Sequence, residues 1–229
     1  MLQSSEEWGQ RNNALMESLL GLINAYAKFE LGKGLDVGCQ VGDLTEQLSI
    51  LTGQSWRGID PEIVEDKTTA NGTPLVHGSA EEIPGGDAEF DCVFLANVFE
   101  HIDPATRVDA LREIRRVLRP GGVVVGQIPN PYFPIESHSR LPFMGWLPHG
   151  LKRHYWRLSP APWGLDFYTV GIRRLTADAK RANLPLIYRQ NFNYPLEAIP
   201  QRLRPVARLL KVPMALYPWS WQFVLQKES

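Results

Sequence analysis

Two cysteines in 229 residues, Cys39 and Cys92, are too few for a disulfide scaffold. No stretch approaches about 18 consecutive apolar residues, which excludes a transmembrane helix. Neither sign of charge is in excess: 24 Lys plus Arg stand against 25 Asp plus Glu, and the formal charge of -1 provides no global basic field for collecting DNA. The opening residues MLQSSEEWGQRNN lack the basic start and apolar core of a signal peptide. Internal repeats and low-complexity tracts are missing as well. These absences predict a cytoplasmic protein that neither spans a membrane nor binds DNA. With 44% hydrophobic residues the chain can bury one large core, and we expect a single domain over 1–229.

What is present is an apolar period that switches repeatedly. From Ser4 to Phe29, Leu15, Leu19, Leu22, Ile23 and Tyr26 recur at helical spacing behind a capped first turn. GLDVG (34–38) is a short apolar run ending in glycine, which suits a buried parallel strand. Asp43 to Leu51 then opens a helix directly out of the glycine loop. SWRGID (55–60), PLVHGS (74–79), FDCVFLAN (90–97) and VVVGQIP (123–129) read as further strands. A helical stripe of Ala110, Leu111, Ile114, Val117 and Leu118 lies before the last of them, closed by Arg119-Pro-Gly-Gly122. Such alternation predicts an α/β fold with a parallel sheet covered on both faces. From Asn130 to Asp166, prolines and aromatics erase any period, which predicts a loop-rich cap. Beyond it, 169–183 reads as helix, 186–194 as strand, 196–211 as a proline-interrupted basic helix and 220–227 as a closing strand.

The strand, glycine loop and helix at LDVGCQVGDL aim backbone N–H groups and a helix N-terminus at a ligand. Gly38 is followed by Cys39, Gln40, Val41 and Gly42, so the glycine spacing that admits a pyrophosphate is absent. Asp36, two residues before Gly38, repels a phosphate but accepts from an ammonium. Asp60, 22 positions after Gly38, stands where an acid takes two ribose hydroxyls in a nucleotide-binding unit. A nucleoside carrying an amino acid meets both demands. LDVGCQVG, GID, HGSAEEIP, FDCVFLANVFEHI and RVLRPGGVVV, in that order over Gly34 to Pro129, resemble the class I S-adenosylmethionine-dependent methyltransferases of small-molecule type.

That resemblance implies a Rossmann-like, doubly wound, seven-stranded and mostly parallel sheet with an antiparallel last strand. It divides the chain into an N-terminal helix (1–30), a cofactor-binding core (34–129), the aromatic cap (130–166) and C-terminal helix and strands (167–229). It implies S-adenosylmethionine as cofactor and S-adenosylhomocysteine as product. Asp36 would hold the methionine ammonium, the backbone of Gly38, Cys39, Gln40 and Gly42 would surround the amino-acid portion, and Asp60 with Pro61 would sit at the ribose. Ser79 and Ala80 would edge the adenine, and Asn97 would line the sulfonium side. Gln40 stands where the family usually has glycine, and Ser79 where it often has aspartate. A positive φ at Gln40 would therefore carry strain.

An acceptor hydroxyl must lose a proton as the methyl arrives. Glu100 and His101 follow the fourth strand, and Glu136 and His138 follow the fifth, so both pairs are expected on one rim. His101 and His138 are the candidate general bases. Some related enzymes hold a divalent metal with Glu-x-x-Glu-His and a later histidine. Here the first carboxylate is replaced by Asn97, which argues against a metal. The cap's aromatics favour O-methylation of a small flat acceptor: an aromatic, a polyketide, a quinol or a sugar face. Two rivals stand beside that reading. Basic residues from Lys152 to Arg157 and from Arg173 to Lys211 could track RNA, and Gln40 with Ser79 could mark a non-catalytic binding protein of the same fold. RLRPVARLLKVPMALYPWSW (202–221) could also touch a membrane surface.

Overall fold

The computed structural model describes residues 5–161, 164, 165, 167–194, 205 and 218–228; for 5–12 and 149 only the backbone is described. The N-terminal helix α1 (Ser5–Tyr26) and β1 (Lys33–Val37) are followed by α2 (Asp43–Thr52), β2 (Ser55–Asp60) and a two-residue β3 (Lys67–Thr68). Then come β4 (Pro74–His77), β5 (Phe90–Ala96), α3 (Arg107–Val117) and β6 (Leu118–Pro129). The cap contains a 3-10 turn (Met144–Trp146) and α4 (His149–Trp156), and α5 (Ile172–Arg181), β7 (Leu186–Phe192) and β8 (Ser220–Gln226) complete the described elements.

One sheet runs in the order β3-β4-β2-β1-β5-β6-β8-β7. The strands β4, β2, β1, β5 and β6 are mutually parallel, whereas β8 is antiparallel to both β6 and β7. This is the doubly wound α/β arrangement expected from the sequence, with one addition: the short β3 pairs antiparallel to β4 and makes eight strands instead of seven. Two residues carry too little pattern to announce a strand.

Both faces are covered, as a parallel sheet requires. Leu15, Met16, Leu19, Leu22 and Ile23 of α1 and Leu48 of α2 pack on Trp56, Phe94, Val123, Val125 and Val224. The opposite face places Leu111, Ile114 and Val117 of α3 and Leu175 and Ala179 of α5 on Leu35, Ile59, Val93, Leu95 and Phe223. Asp91 enters β5 at 0% exposure because its carboxylate ties the chain together there: it accepts N–H donors from Glu30, Leu31 and Lys33 and the Arg119 Nε at 2.6 Å. Burial alone would raise its pKa, but these donors hold it below the ordinary carboxylate range.

Two expectations about element boundaries need correction. Arg119-Pro-Gly-Gly122 does not separate helix from strand: α3 ends at Val117, β6 begins at Leu118, and the ladder jumps from Leu118↔Phe90 to Val123↔Cys92. Residues 119–122 form the irregularity between, where proline's missing N–H costs no ladder bond. The cap, expected to be irregular, contains α4, a helix that exposes Leu151 and buries Lys152, so its apolar period is inverted. The expected basic helix at 196–211 lies outside the described residues, apart from Pro205.

Candidate active site

The loop after β1 is built on glycine geometry. Gly38 has φ +77° and Gly42 φ +92°; a Cβ on Gly38 would lie 2.5 Å from Val98 Cγ2, and one on Gly42 2.5 Å from Leu75 Cδ1. The N–H groups of Gly38 and Cys39 both donate to the Ile59 carbonyl, at 2.8 and 3.0 Å, and Gly42 caps α2. Gln40 adopts φ +52° and donates its N–H to Asp60 Oδ2 at 2.9 Å. The strain foreseen for a non-glycine residue is therefore present. Gln40→Gly should stabilise the protein by roughly 0.5–1 kcal/mol, because about 1–2 kcal/mol of left-handed strain outweighs glycine's added chain entropy. Calorimetry should record a melting temperature about 1–4 °C higher.

The acids of the first two strands stand at the same end of the sheet. Asp36, 3% exposed, accepts from Thr45 Oγ1 at 2.6 Å. Burial pushes its carboxyl up to about 7, against the Thr45 bond and with a further upward push from Asp60. Asp60, 6% exposed, accepts from the N–H of Gln40 through Oδ2 and of Glu62 through Oδ1. Neither forms an ion pair among the described residues, and Asp60 is near enough to Asp36 to disfavour its charge. Cys39 contributes backbone only: its thiol packs on Gly58, and burial pushes its pKa up to about 12.

The remaining residues at this rim are arranged by the strand ladder. Asp60 pairs with His77, so the turn that follows β4 runs beside it; there Ser79 accepts the Glu82 N–H through Oγ at 3.2 Å, and Ala80 is buried. Pro61 is exposed next to Asp60. Asn97 follows β5 directly at φ +57°, is exposed, and precedes the Val98 that fills the space above Gly38. Asn97 Oδ1 accepts from Gln127 Nε2 at 3.1 Å.

A second group lies after β5 and β6, and the structure brings together both pairs expected on one rim. A short bridge between Ile135 and Pro142 closes a turn whose organiser is Glu136. Its carboxylate, 2% exposed, accepts from the N–H of His138 and Ser139 and from Ser137 Oγ, and lies 2.8 Å from His138 Nδ1. Burial works against the charge, yet the bonds from His138 and Ser139 dominate and hold Glu136 down at about 2. Because Glu136 is an acceptor, His138 Nδ1 carries a hydrogen, and in the neutral ring Nε2 then holds the lone pair. That Nε2 lies 3.7 Å from Glu100 Oε1. Glu100 is buried, neither of its oxygens has a hydrogen-bond partner among the described residues, and burial raises its pKa against the pull of His138 and His101. The ring of Phe167 stacks on His138 at 4.2 Å and 18°, and His101 meets it edge-on at 5.3 Å.

The donor atoms of Glu100, His101 and His138 lie within 4.8 Å of one another, a set able to hold a cation. Phe167 also lines a cavity of about 220 Å³ with Lys152, Leu165, Tyr168 and Thr169. A wider one of about 420 Å³ lies over Asn130, Arg189, Gln190 and Trp221. Neither includes the glycine loop. Phe167, Thr45 and Gln127 escape sequence reasoning, and Lys152 figures in it only as part of a basic track. Only the Thr45 spacing, nine residues after Asp36 on the first helix beyond the loop, offers a signal.

The sequence over residues 35–126 matches a family described as methyltransferase domain. Over that span the chain carries a methyltransferase domain. The chain is 31% identical over 160 residues to the ubiquinone/menaquinone biosynthesis C-methyltransferase UbiE of Hahella chejuensis, covering 57% of this chain and 64% of that protein. A demethylmenaquinone methyltransferase of Staphylococcus aureus is 41% identical over 101 residues, 41% of either chain. The chain thus matches less than two thirds of the length of these curated relatives. The fold is shared with the PH0226 protein of Pyrococcus horikoshii at a TM-score of 0.64 and 16% identity, over 98% of this chain and 93% of that one. No helix among the described residues of this methyltransferase-domain protein is long and apolar enough to cross a membrane.

Proposed function

We propose that this protein transfers the methyl of S-adenosylmethionine to a small cytoplasmic acceptor bearing a hydroxyl on a flat ring. The observation that carries the reading is the pair of buried carboxylates Asp36 and Asp60, in no ion pair among the described residues, flanking a glycine loop. Asp36 takes the ammonium and Asp60 the ribose diol; the loop backbone encloses the amino-acid portion, and Ser79 and Ala80 edge the adenine. Asn97 lines the sulfonium side. His138, held by Glu136 through Nδ1, removes the acceptor's proton at Nε2. The ring anion so formed is nucleophilic at oxygen and at the neighbouring carbon. O-methylation is the simpler outcome; the C-methyltransferase named among the relatives makes the carbon a second site to examine by product NMR.

The pH dependence follows from Asp36. In the ligand-free protein its carboxyl titrates at about 7. Pairing with an ammonium lowers that value, so binding requires the ionised form and expels a proton below pH 7. S-adenosylhomocysteine affinity should fall up to about tenfold from about pH 7 to about pH 6. Calorimetry in two buffers of different ionisation enthalpy should register close to one proton released at about pH 6. Release of none, with pH-independent affinity, counts against Asp36 as the ammonium site.

A second reading is favoured by Glu100, whose buried oxygens lack hydrogen-bond partners beside two imidazoles. Glu100, His101 and His138 would then hold a divalent cation, which lowers the pKa of a bound hydroxyl. Dialysis against EDTA separates the readings. Undiminished turnover supports the histidine base; loss restored by added Mg²⁺ or Zn²⁺ supports the cation.

A further inference from the structure

Three glutamines stand in register on adjacent strands: Gln127 of β6 opposite Gln222 of β8, and Gln222 opposite Gln190 of β7. Gln127 is 2% exposed and Gln222 is 0% exposed, beneath the α1 face where Val123 and Val125 are apolar. A buried amide is costly unless every bond is made, and an apolar side chain of the same volume would serve packing as well. Here the bonds are made in one direction. Tyr188 OH donates to Gln190 Oε1, Gln190 Nε2 donates to Gln222 Oε1, Gln222 Nε2 donates to Gln127 Oε1, and Gln127 Nε2 donates to Asn97 Oδ1. Ser18 Oγ of α1 accepts from Gln190 Nε2 at 3.3 Å and donates to Gln222 Oε1 at 2.7 Å, in keeping with that oxygen as the acceptor.

The chain of bonds ends at the one member exposed at the glycine-loop rim. With Oδ1 turned inward to Gln127, Asn97 has its Nδ2 hydrogens left to point outward. We propose that Gln127 is a positioning residue that fixes the Asn97 amide, so that Nδ2 donates to the carboxylate of the amino-acid portion of the bound methyl donor. This rests on the methyl-donor reading given above. It gives the zwitterion a polar partner for each charge, Asp36 for the ammonium and Asn97 for the carboxylate. It also accounts for the positive φ of Asn97, tolerated by asparagine, which turns the side chain back toward β6.

The test is a double-mutant cycle read by S-adenosylhomocysteine affinity, with thermal melting measured in parallel. Asn97→Ala should weaken binding about tenfold, the loss of one hydrogen bond to a charged group. Gln127→Met, which keeps the volume and removes the polar ends, should weaken it by a similar factor. The double variant should be no weaker than Asn97→Ala alone, because Gln127 acts only through Asn97. Gln127→Glu, read above the pH at which its buried carboxyl ionises, offers acceptors alone, draws Asn97 Nδ2 inward and should lose as much affinity as Gln127→Met, at a larger cost in melting temperature. Multiplicative losses in the double variant, or parental affinity in Gln127→Glu, would overturn the proposal and leave the methyl-donor reading intact. Absence of binding by the parent at millimolar ligand would overturn that reading and this inference together.

Discussion

Replacing His138 with alanine is expected to lower the methyl-transfer rate constant by roughly a hundredfold or more, while S-adenosylhomocysteine should bind within about twofold of its original affinity. The split follows from the site: His138 is held among Glu136, Glu100 and Phe167 in the turn after β6, whereas Asp36 and Asp60 stand at the ends of β1 and β2. Glu136→Gln should approach the same loss. A glutamine can donate to Nδ1 and so stabilise the tautomer whose Nε2 carries the hydrogen and cannot act as a base. It should also cost stability. A carboxyl held at about 2, against 4.5 when unfolded, stabilises the fold above pH 4.5, and that contribution disappears as pH falls through about 2. Glu136→Gln should therefore lower the melting temperature at neutral pH, and rates must be taken well below it. His101→Ala sorts the two readings: it changes the rate less than about threefold if His138 works as a base without metal, and matches His138→Ala if the pair shares a cation.

Asp60→Asn and Asp36→Asn are each expected to weaken S-adenosylhomocysteine binding by roughly thirty- to a hundredfold, about 2–3 kcal/mol, the range for charged hydrogen bonds lost in a buried site. Their effects on the ligand-free protein should differ in sign. Asp36 is raised from 3.8 to about 7, so its ionised form is a cost that is absent below pH 3.8 and complete above about pH 7. The asparagine in the Asp36→Asn variant carries no such cost and still accepts from Thr45. Asp36→Asn should therefore stabilise the empty protein at about pH 8 by roughly 2–4 kcal/mol while impairing binding, the exchange of stability for function that buried site acids impose. Asp60→Asn should destabilise, since Asp60 takes the N–H groups of Gln40 and Glu62. Equal destabilisation by both changes, measured by denaturant unfolding at the same pH, would argue that Asp36 is a structural acid.

The parts of the fold legible in the sequence are those whose side-chain period matches the element. SWRGID delimits β2 to the residue, and β5 is legible from a run in which six of seven positions are buried. The strand, glycine loop and helix are legible because Gly38 and Gly42 are forced by backbone geometry and close neighbours. What escapes is governed by tertiary context. The helix α4 buries Lys152 against Thr169 and exposes Leu151, so no periodicity marks it. Phe167 reaches His138 from a loop whose course no local rule dictates. The glutamine row is invisible along the chain because its members are neighbours only across the strand ladder. Glu136 and His138 are found by their place after the fifth strand, but their coupling depends on a turn that the carboxylate itself organises.

The most direct test of the central claim is a crystal structure of the protein with S-adenosylhomocysteine. The ligand's ammonium should lie within hydrogen-bonding distance of Asp36, directly or through one water, and the two ribose hydroxyls on Asp60, with the homocysteine sulfur turned toward His138. A ligand seated elsewhere, or one whose ribose and ammonium leave both carboxylates untouched, would contradict it.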